Sequence, residues 1–584
     1  MKFCKIMTSL LAASATLAAC SDEMDYKEVD TSVTMDYIKE KWDKVAGLLS
    51  PIYYQLDYDF GNYSGAMLAS ATDEAVYSHA GNSIEGFYNG AWSPTNSLST
   101  IWSSSWSGIS QCNHYLDNFL GLTFDDYILD EHYAQEVFRY QNFEYEVRAL
   151  RAYFYFTLVR SYGGVPLKTA DLDADAANAL PRASADEIFN FIDSECAAIA
   201  DSIIKDYGDL GNLALAEIES GRVNDIFVLA LRARAALYHA SPLFNTSNDK
   251  SLWEKAALAN KAVIDSCLSR GMTLLPMSSS MSDVINTLFG TDENYVNCQP
   301  GGEIIFSRRT TVTNAFEKYN FPIGMANANG GNCPTQNLVD AFEMRNGKAI
   351  DDAESGYDPA NPYADRDLRL AATVAVNGDE WPTSDNKLQT YYGGANALPI
   401  TYATPTGYYL KKLVNKDQVI TTTGATTKKH NWITFRLAEF YLNYAEAMLN
   451  LTGDGYQTAT VDGVNLDMTA AQAINAIRAR AGQPDIAEGL SADDFKQRYE
   501  NERYVELAFE GHRFFDVRRW KEAPKYFTTI KTMDITMNAD STFNYTPKVD
   551  NTTRATWNDK MYLFPIPQSD LLKSAGGWSQ NPGW

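Results

Sequence analysis

The sequence has 584 residues, of which 74 are acidic and 49 basic, giving a formal net charge of -25. A chain this acidic, with no basic block, does not offer a nucleic-acid surface, so we expect no nucleic-acid partner. Its length is ample for a large core, and no low-complexity linker divides it, so we expect a single body over residues 20–584.

The N-terminus has the pattern of an export signal. Two lysines precede a mainly apolar run over residues 6–19, which is too short to span a bilayer as a helix. Leu17-Ala18-Ala19-Cys20 resembles a lipobox, in which the cysteine is acylated and becomes the new N-terminus. We therefore expect residues 1–19 to be a lipoprotein signal peptide and Cys20 to carry a lipid that anchors the protein without spanning the membrane.

The remaining cysteines and the histidines do not indicate a metal or cofactor. The five cysteines beyond Cys20 in the mature chain are widely spaced, odd in number and form no CxxC pair, which predicts buried thiols without a disulfide framework or zinc site. The six histidines lack metal-ligand spacing. No P-loop, G-x-G-x-x-G or G-x-S-x-G motif is present, so we expect neither cofactor nor metal.

The first half of the chain predicts helices after an irregular start. A helix is expected near Met35–Leu49, followed by residues 51–100, which are rich in Tyr, Ser, Asn, Gly and Trp. Apolar residues at helical spacing predict a helix over Trp102–Leu120. Glu144–Tyr162 is apolar on almost every side, which is typical of a helix buried among others.

Three start signals predict the next helices. Ser184 with Glu187 and Ser251 with Glu254 have capping-box spacing, and Asn224 can cap the helix between them. After these helices the composition changes: residues 276–430 are dense in Gly, Asn, Pro and Thr and contain only short β-like runs.

Helices return in the last third of the chain. Helical spacing predicts a helix over Phe435–Asn450, and Thr469 with Gln472 forms a capping box for the next one. Ser491 can cap a further helix, for which Gly511 is the natural stop.

That last helix carries an unusual set of charges in Asn501–Trp520. Its glutamates lie one turn apart and should repel each other, so the arginines nearby are the candidates for compensation. We expect a structural ion-pair cluster that ties the helix to the following loop, and a carboxylate catalytic site is the alternative. The predicted members are Glu502, Arg503, Glu506, Glu510, Arg513, Asp516 and Arg518.

The spacing of the helices predicts a mainly α fold. Helix pairs follow at a loose period of about 30–40 residues, which resembles tetratricopeptide repeats that must stack to bury their apolar faces. We expect a helical scaffold over about 100–275 and 434–520. The loop-rich regions of about 51–100 and 276–430, with short β-hairpins, would form a ligand-binding face.

Several sequence blocks in series carry a family resemblance. The pattern E-R-x-x-E-L-x-F-E-G-x-R-x-x-D-x-x-R-W over residues 502–520, the F-P-I-P at 564–567 and the block ALRAYFYFTLVRSYGGVPL at 149–167 resemble the SusD/RagB family. The resemblance implies a SusD-like fold and a surface-exposed lipoprotein of the outer membrane of Bacteroidetes. It also implies that the protein binds a nutrient and partners a TonB-dependent, SusC-like transporter.

Aromatic and amide side chains in the loops predict a carbohydrate site. A sugar ring presents a flat C–H face ringed by hydroxyls, which aromatic rings and amides can match. Trp92 and Asn96 resemble a tryptophan–asparagine pair of the family, and Tyr319 or Phe321 takes the place of a tryptophan that is common ahead of Pro334. The predicted ligand-binding residues are Tyr77, Tyr88, Trp92, Asn96, Tyr319, Phe321 and Asn332.

These observations predict a cell-surface protein that captures an oligosaccharide or polysaccharide and delivers it to the transporter without catalysis. Two alternatives remain at this point. The same architecture could capture peptides, or the chain could be a secreted glycoside hydrolase, which needs two opposed carboxylates that the 74 acidic residues could supply.

Overall fold

The computed structural model describes residues 34–211, 221–277, 280–290, 297–384, 386–527, 529–550, 554 and 557–584. The predicted signal peptide and Cys20 lie outside these residues. In the part that the structure describes, no helix combines the length and the apolar character needed to cross a membrane.

The fold is mainly helical. The described α-helices are α1 Met35–Lys39, α2 Trp42–Gly47, α3 Leu49–Tyr54, α4 Ile101–Asn118, α5 Tyr133–Tyr162, α6 Ala174–Asn178, α7 Ala185–Ile199, α8 Asp225–Ala240, α9 Lys250–Ser269, α10 Met281–Phe289, α11 Ala315–Asn320, α12 Gln336–Ala341, α13 Leu368–Thr373, α14 Leu437–Thr452, α15 Ala470–Arg480, α16 Ala492–Glu506, α17 Arg513–Arg519, α18 Ala523–Phe527 and α19 Gln568–Lys573. Short 3-10 turns cover Leu68–Ala71, Ser83–Phe87, Asp125–Tyr127, Tyr207–Leu210 and Asp559–Tyr562.

The strands form small antiparallel pairs. They are β1 Ala75–Tyr77, β2 Ile304–Arg309, β3 Asn332–Pro334, β4 Val374–Ala375, β5 Tyr409–Leu410, β6 Asn431–Arg436, β7 Ala459–Val461, β8 Val464–Leu466, β9 Ile530–Met537 and β10 Phe543–Asp550. β1 pairs with β3, β2 with β6, β4 with β5, β7 with β8 and β9 with β10. Each sheet within the described ranges therefore has two strands.

The long helices stack in chain order into a frame. α4 packs against α5, α5 against α7, α7 against α8, α8 against α9, α9 against α14 and α14 against α15. α5 is buried over most of its length, as its apolar sequence predicts. Close packing needs a small residue at one point: a Cβ on Gly108 of α4 would lie 2.4 Å from the ring of Phe154 on α5. The tetratricopeptide-like character of these pairs stays a prediction.

Two large hydrophobic cores, beside two clusters of three buried residues each, result from this arrangement of the described residues. The larger core belongs to the helical frame and includes Phe156, Leu231 and Phe440. The second large core lies among the loops and strand pairs and includes Phe342, Tyr409 and Phe509, which follows the end of α16. The single-body assignment over residues 20–584 stays a prediction, as does its division into scaffold and loop regions.

The local start signals predicted most helix beginnings correctly. The Ser184–Glu187 and Thr469–Gln472 capping boxes are present, and Asn224 caps α8. The Ser251–Glu254 box is wrong, because Asp249 caps α9 one residue before its start.

Three predicted boundaries differ from the structure for tertiary reasons. α5 begins at Tyr133, earlier than the apolar run suggested. Phe435 belongs to strand β6, which pairs with β2, so α14 begins only at Leu437. α16 ends at Glu506 and not at Gly511, because Phe509 takes a left-handed backbone with φ 62° and its N–H donates to Glu74 Oε1 at 3.0 Å.

Candidate functional site

Glu506, at the end of α16, lies at the centre of a buried ion-pair network. Its carboxylate contacts Arg436 Nη1 at 2.8 Å and Arg369 Nη1 at 3.0 Å, and it also pairs with Arg480. Burial alone would raise the pKa of Glu506, but the charges of these three arginines hold it well below its usual value. The side chain is therefore ionised at neutral pH.

Two neighbouring glutamates, one on α16 and one just beyond its end, are also paired with cations. Glu502 pairs with Arg369 at 2.6 Å and with Arg478 at 2.9 Å. Glu510 pairs with Lys412 at 2.8 Å and with Arg436 at 2.7 Å. The like charges are thus separated by cations that come from distant parts of the chain.

The sequence prediction of this cluster needs a correction. Arg503 does pair with Asp516 at 2.7 Å, as a local cluster would require. Arg513, however, pairs with Asp73, and Arg518 donates to the carbonyls of Met561 and Phe514. Burial lowers the pKa of Arg518 to about 9. The network joins the helical frame to the loop region, which is a structural role wider than the predicted tie to the next loop.

The β1–β3 pair positions residues from two separate loops. Tyr77 lies opposite Asn332 in the antiparallel register. The Asn332 side chain is fully buried: its Oδ1 accepts from Met67 N and Ser70 Oγ, each at 2.8 Å. Asn332 therefore holds the loops together and presents no group to a ligand in this structure.

A row of stacked rings continues from this strand to the surface, and we call Tyr77, His79 and Tyr402 the aromatic stack. The Tyr77 and His79 ring centroids are 5.2 Å apart, and those of His79 and Tyr402 are 3.7 Å apart at an interplanar angle of 2°. His79 Nε2 lies 2.7 Å from the carbonyl of Asn329, which fixes the ring. The outermost ring, Tyr402, is 47% exposed.

Tyr319 lies beside the base of the aromatic stack. A Cβ on Gly65 would fall 2.3 Å from Tyr77 Oη and 2.8 Å from Tyr319 Cδ1, so only glycine fits between the two tyrosines. Gly65 also has φ +94°, a conformation that glycine adopts readily. Tyr319 remains half-buried, and its hydroxyl makes no hydrogen bond to any of the described residues.

The loop that carries Tyr402 is apolar and exposed. Tyr392 is 70% exposed, and Leu398 and Ile400 also face solvent. Tyr402 has φ 66°, a left-handed backbone that is uncommon for a bulky residue. Such strain persists only where the surroundings over-determine it, and it occurs often at ligand sites.

The predicted ligand-binding aromatics do not all lie in the same environment. Trp92 is only 4% exposed, with ring centroids 4.8 Å from both Phe87 and Phe564 and 5.2 Å from Trp584. This packing corrects the expectation that its indole forms a platform. Tyr77, by contrast, belongs to the aromatic stack.

Tyr88, Phe321 and Asn96 also do not form a platform in this structure. Tyr88 is buried beneath the guanidinium of Arg554, and Phe321 is buried against Trp381. Asn96 is exposed, but its amide donates to the carbonyl of Ala91 at 2.8 Å.

His79 and Tyr402 are the residues that sequence reasoning missed. Tyr77 and His79 are two residues apart at the end of a strand, so the alternation of side chains could have placed both rings on one face. Tyr402 has no comparable signal, because its contact with His79 depends on how two distant loops fold together.

The described residues show no group of three metal-ligating side chains. The five cysteines that the structure describes are free, and burial raises the pKa of Cys298 to about 11. Burial also raises the pKa of Glu74 to about 8, and this carboxyl group accepts a hydrogen bond from Phe509 N. Glu74 therefore has a structural partner in the turn that follows α16.

The model of the SusD family matches residues 302–584 of this chain. No curated protein sequence matches it.

Solved structures of SusD-like proteins match almost the whole chain. A SusD-like protein from Bacteroides fragilis is 26% identical with a TM-score of 0.71, and the match covers 94% of this chain and 98% of that one. A SusD-like carbohydrate-binding protein from Bacteroides fragilis is 21% identical with a TM-score of 0.68, covering 92% and 99%. A laminarin-binding SusD-like protein is 19% identical with a TM-score of 0.61, covering 93% and 99%.

Proposed function

From the match of the SusD family model to residues 302–584 and the likeness to solved SusD-like proteins, we propose that this protein binds an oligosaccharide or polysaccharide nutrient and delivers it to a TonB-dependent, SusC-like transporter. The protein holds its ligand without cleaving it. Solved relatives that are named carbohydrate-binding or laminarin-binding proteins support this choice of ligand class.

The aromatic stack is the observation that carries the proposal. Tyr402 offers an exposed ring on top of His79, and a sugar can place its C–H face on such a ring. The hydroxyls of Tyr402 and Tyr319 make no hydrogen bond within the described residues, so they are free to bind sugar hydroxyls. The exposed Tyr392 lies on the same loop and extends the apolar surface.

The anchoring and the partner follow from the same proposal. Acylation of Cys20 would hold the body at the outer leaflet of the outer membrane. The transporter then receives the ligand by direct transfer, which requires a moderate affinity and fast release.

Removing the outer ring of the stack tests the binding site. We expect Tyr402→Ala to weaken retention on polysaccharide affinity gels about two- to tenfold, because a stacked aromatic contributes roughly 0.5–1.5 kcal/mol. The matched control is Phe138→Ala, which removes a ring of similar exposure from α5. Both variants should keep the thermal unfolding midpoint of the parent.

Two outcomes would overturn the proposal. One is equal retention of Tyr402→Ala and the parent on every polysaccharide that the parent binds. The other is saturable binding of a defined peptide by a protein that no glycan retards, which would assign the alternative ligand class.

A further inference from the structure

One cavity has no lining residue in common with the aromatic stack, and we call it the tryptophan pocket. It has a volume of about 290 Å³ and lies between α4, the segment after α5, the end of α6, α19 and the segment that follows α19. This volume is close to the lower end of the roughly 300–1,000 Å³ found for small-molecule sites. The residues that matter here are Trp102, Trp106, Lys168, Asn178, Asp570 and Trp578.

The tryptophans of this pocket are held in fixed orientations. Trp102 Nε1 donates to Asp570 Oδ2 at 2.7 Å, and Trp578 Nε1 donates to the carbonyl of Leu180 at 2.8 Å. The rings of Trp102 and Trp106 meet edge to face with centroids 5.7 Å apart. Trp106 and Trp578 are each only partly buried, so parts of two indole rings face the cavity without cover.

Lys168 gives the pocket an unused cation. Nine-tenths of this residue is buried, with a relative exposure of 9%. Its backbone is fixed by Tyr155, whose hydroxyl accepts from Lys168 N at 2.7 Å and donates to Lys168 O at 2.8 Å. Its ammonium makes no hydrogen bond or ion pair with any residue in the described ranges. The ammonium can therefore donate to a ligand in the cavity without giving up a hydrogen bond within the described residues.

We propose that the tryptophan pocket binds one pyranose unit of a glycan. The C–H face of the sugar would cover the indoles of Trp106 and Trp578, while its hydroxyls meet the Lys168 ammonium, the Asp570 carboxylate and the Asn178 amide. The choice of glycan as ligand rests on the proposed function. The existence of the site rests on the cavity, its indoles and Lys168.

Binding at the tryptophan pocket in addition to the aromatic stack changes how a long glycan is held. Two sites on one body bind two segments of the same polysaccharide, and the second binding event is then intramolecular. A polysaccharide would be retained more strongly than a short oligosaccharide, although each site alone releases its sugar quickly.

Fluorine NMR of the full mature chain labelled with fluorotryptophan tests the pocket directly. Trp106→Phe and Trp578→Phe identify the two resonances, and the probes are the hexasaccharides of maltose, cellulose, laminarin and xylan type. We expect at least one probe to move both resonances saturably, in the parent and equally in Tyr402→Ala. Lys168→Met should weaken this binding about tenfold through loss of charge-assisted hydrogen bonds.

The controls separate this site from the aromatic stack. Lys168→Met should leave the unfolding midpoint and the Tyr402-dependent binding unchanged, because its ammonium has no partner among the described residues. The proposal for the tryptophan pocket would be overturned if no probe shifts the two resonances. It would also be overturned if Lys168→Met leaves the affinity for the probe unchanged. If a probe shifts the two tryptophan resonances but Tyr402→Ala does not weaken glycan retention, only the proposal for the aromatic stack is overturned.

Discussion

Replacing Glu506 with glutamine is expected to lower the free energy of unfolding by about 3–5 kcal/mol. The carboxylate pairs with Arg369, Arg436 and Arg480, all buried, and its loss leaves three arginines with one charge fewer to balance them. Urea denaturation followed by circular dichroism measures the change. The shape of the side chain is nearly conserved, so the loss reports on charge and not on packing.

Asp265→Asn is the matched control for this variant. Asp265 pairs with Lys261 at 2.8 Å on α9, but its side chain is largely exposed. A solvated pair of this kind contributes about 0–1 kcal/mol, so the control should stay within that range. A Glu506→Gln protein that is as stable as the control would contradict the structural role that we assign to the network.

Replacing Trp92 with alanine is expected to destabilise the protein by about 3–5 kcal/mol. The indole is enclosed by Phe87, Phe564 and Trp584, so its removal leaves a cavity between the loop and the C-terminal segment. The measurement is the unfolding midpoint in urea, compared with glycan retention of the same preparation under native conditions.

The two readouts distinguish a core residue from a binding platform. If Trp92 is a core residue, the Trp92→Ala protein is less stable, but the fraction that remains folded still binds glycan through Tyr402. An exposed platform would show the reverse: an unchanged midpoint and loss of retention. That second result would contradict the position of Trp92 in the structure and restore the interpretation that its sequence position suggested.

The helical frame could be predicted because its signals are local. The Thr469–Gln472 box and the Asn224 cap need only neighbouring residues, and the structure contains both. The apolar sequence of α5 predicted a buried helix for the same reason. The end of α16 could not be predicted, since the left-handed turn at Phe509 depends on Glu74, which lies far away in the sequence.

The charged and aromatic residues show why the site was harder to predict. Proximity in sequence suggested Arg513 as a partner of the glutamates, yet it pairs with Asp73 across the fold. Aromatic content alone could not tell Trp92, which is buried, from Tyr402, which is exposed. Both distinctions depend on contacts between distant segments, and a single sequence does not report such contacts.

Calorimetric titration of the purified mature chain with an oligosaccharide, followed by chromatography of the recovered sugar, tests the central claim most directly. The account predicts saturable binding and recovery of the oligosaccharide at its original length. Shorter products would show catalysis, and the absence of saturable binding for oligosaccharides of every glycan class tested would show that the protein does not capture carbohydrate; either result would contradict the account.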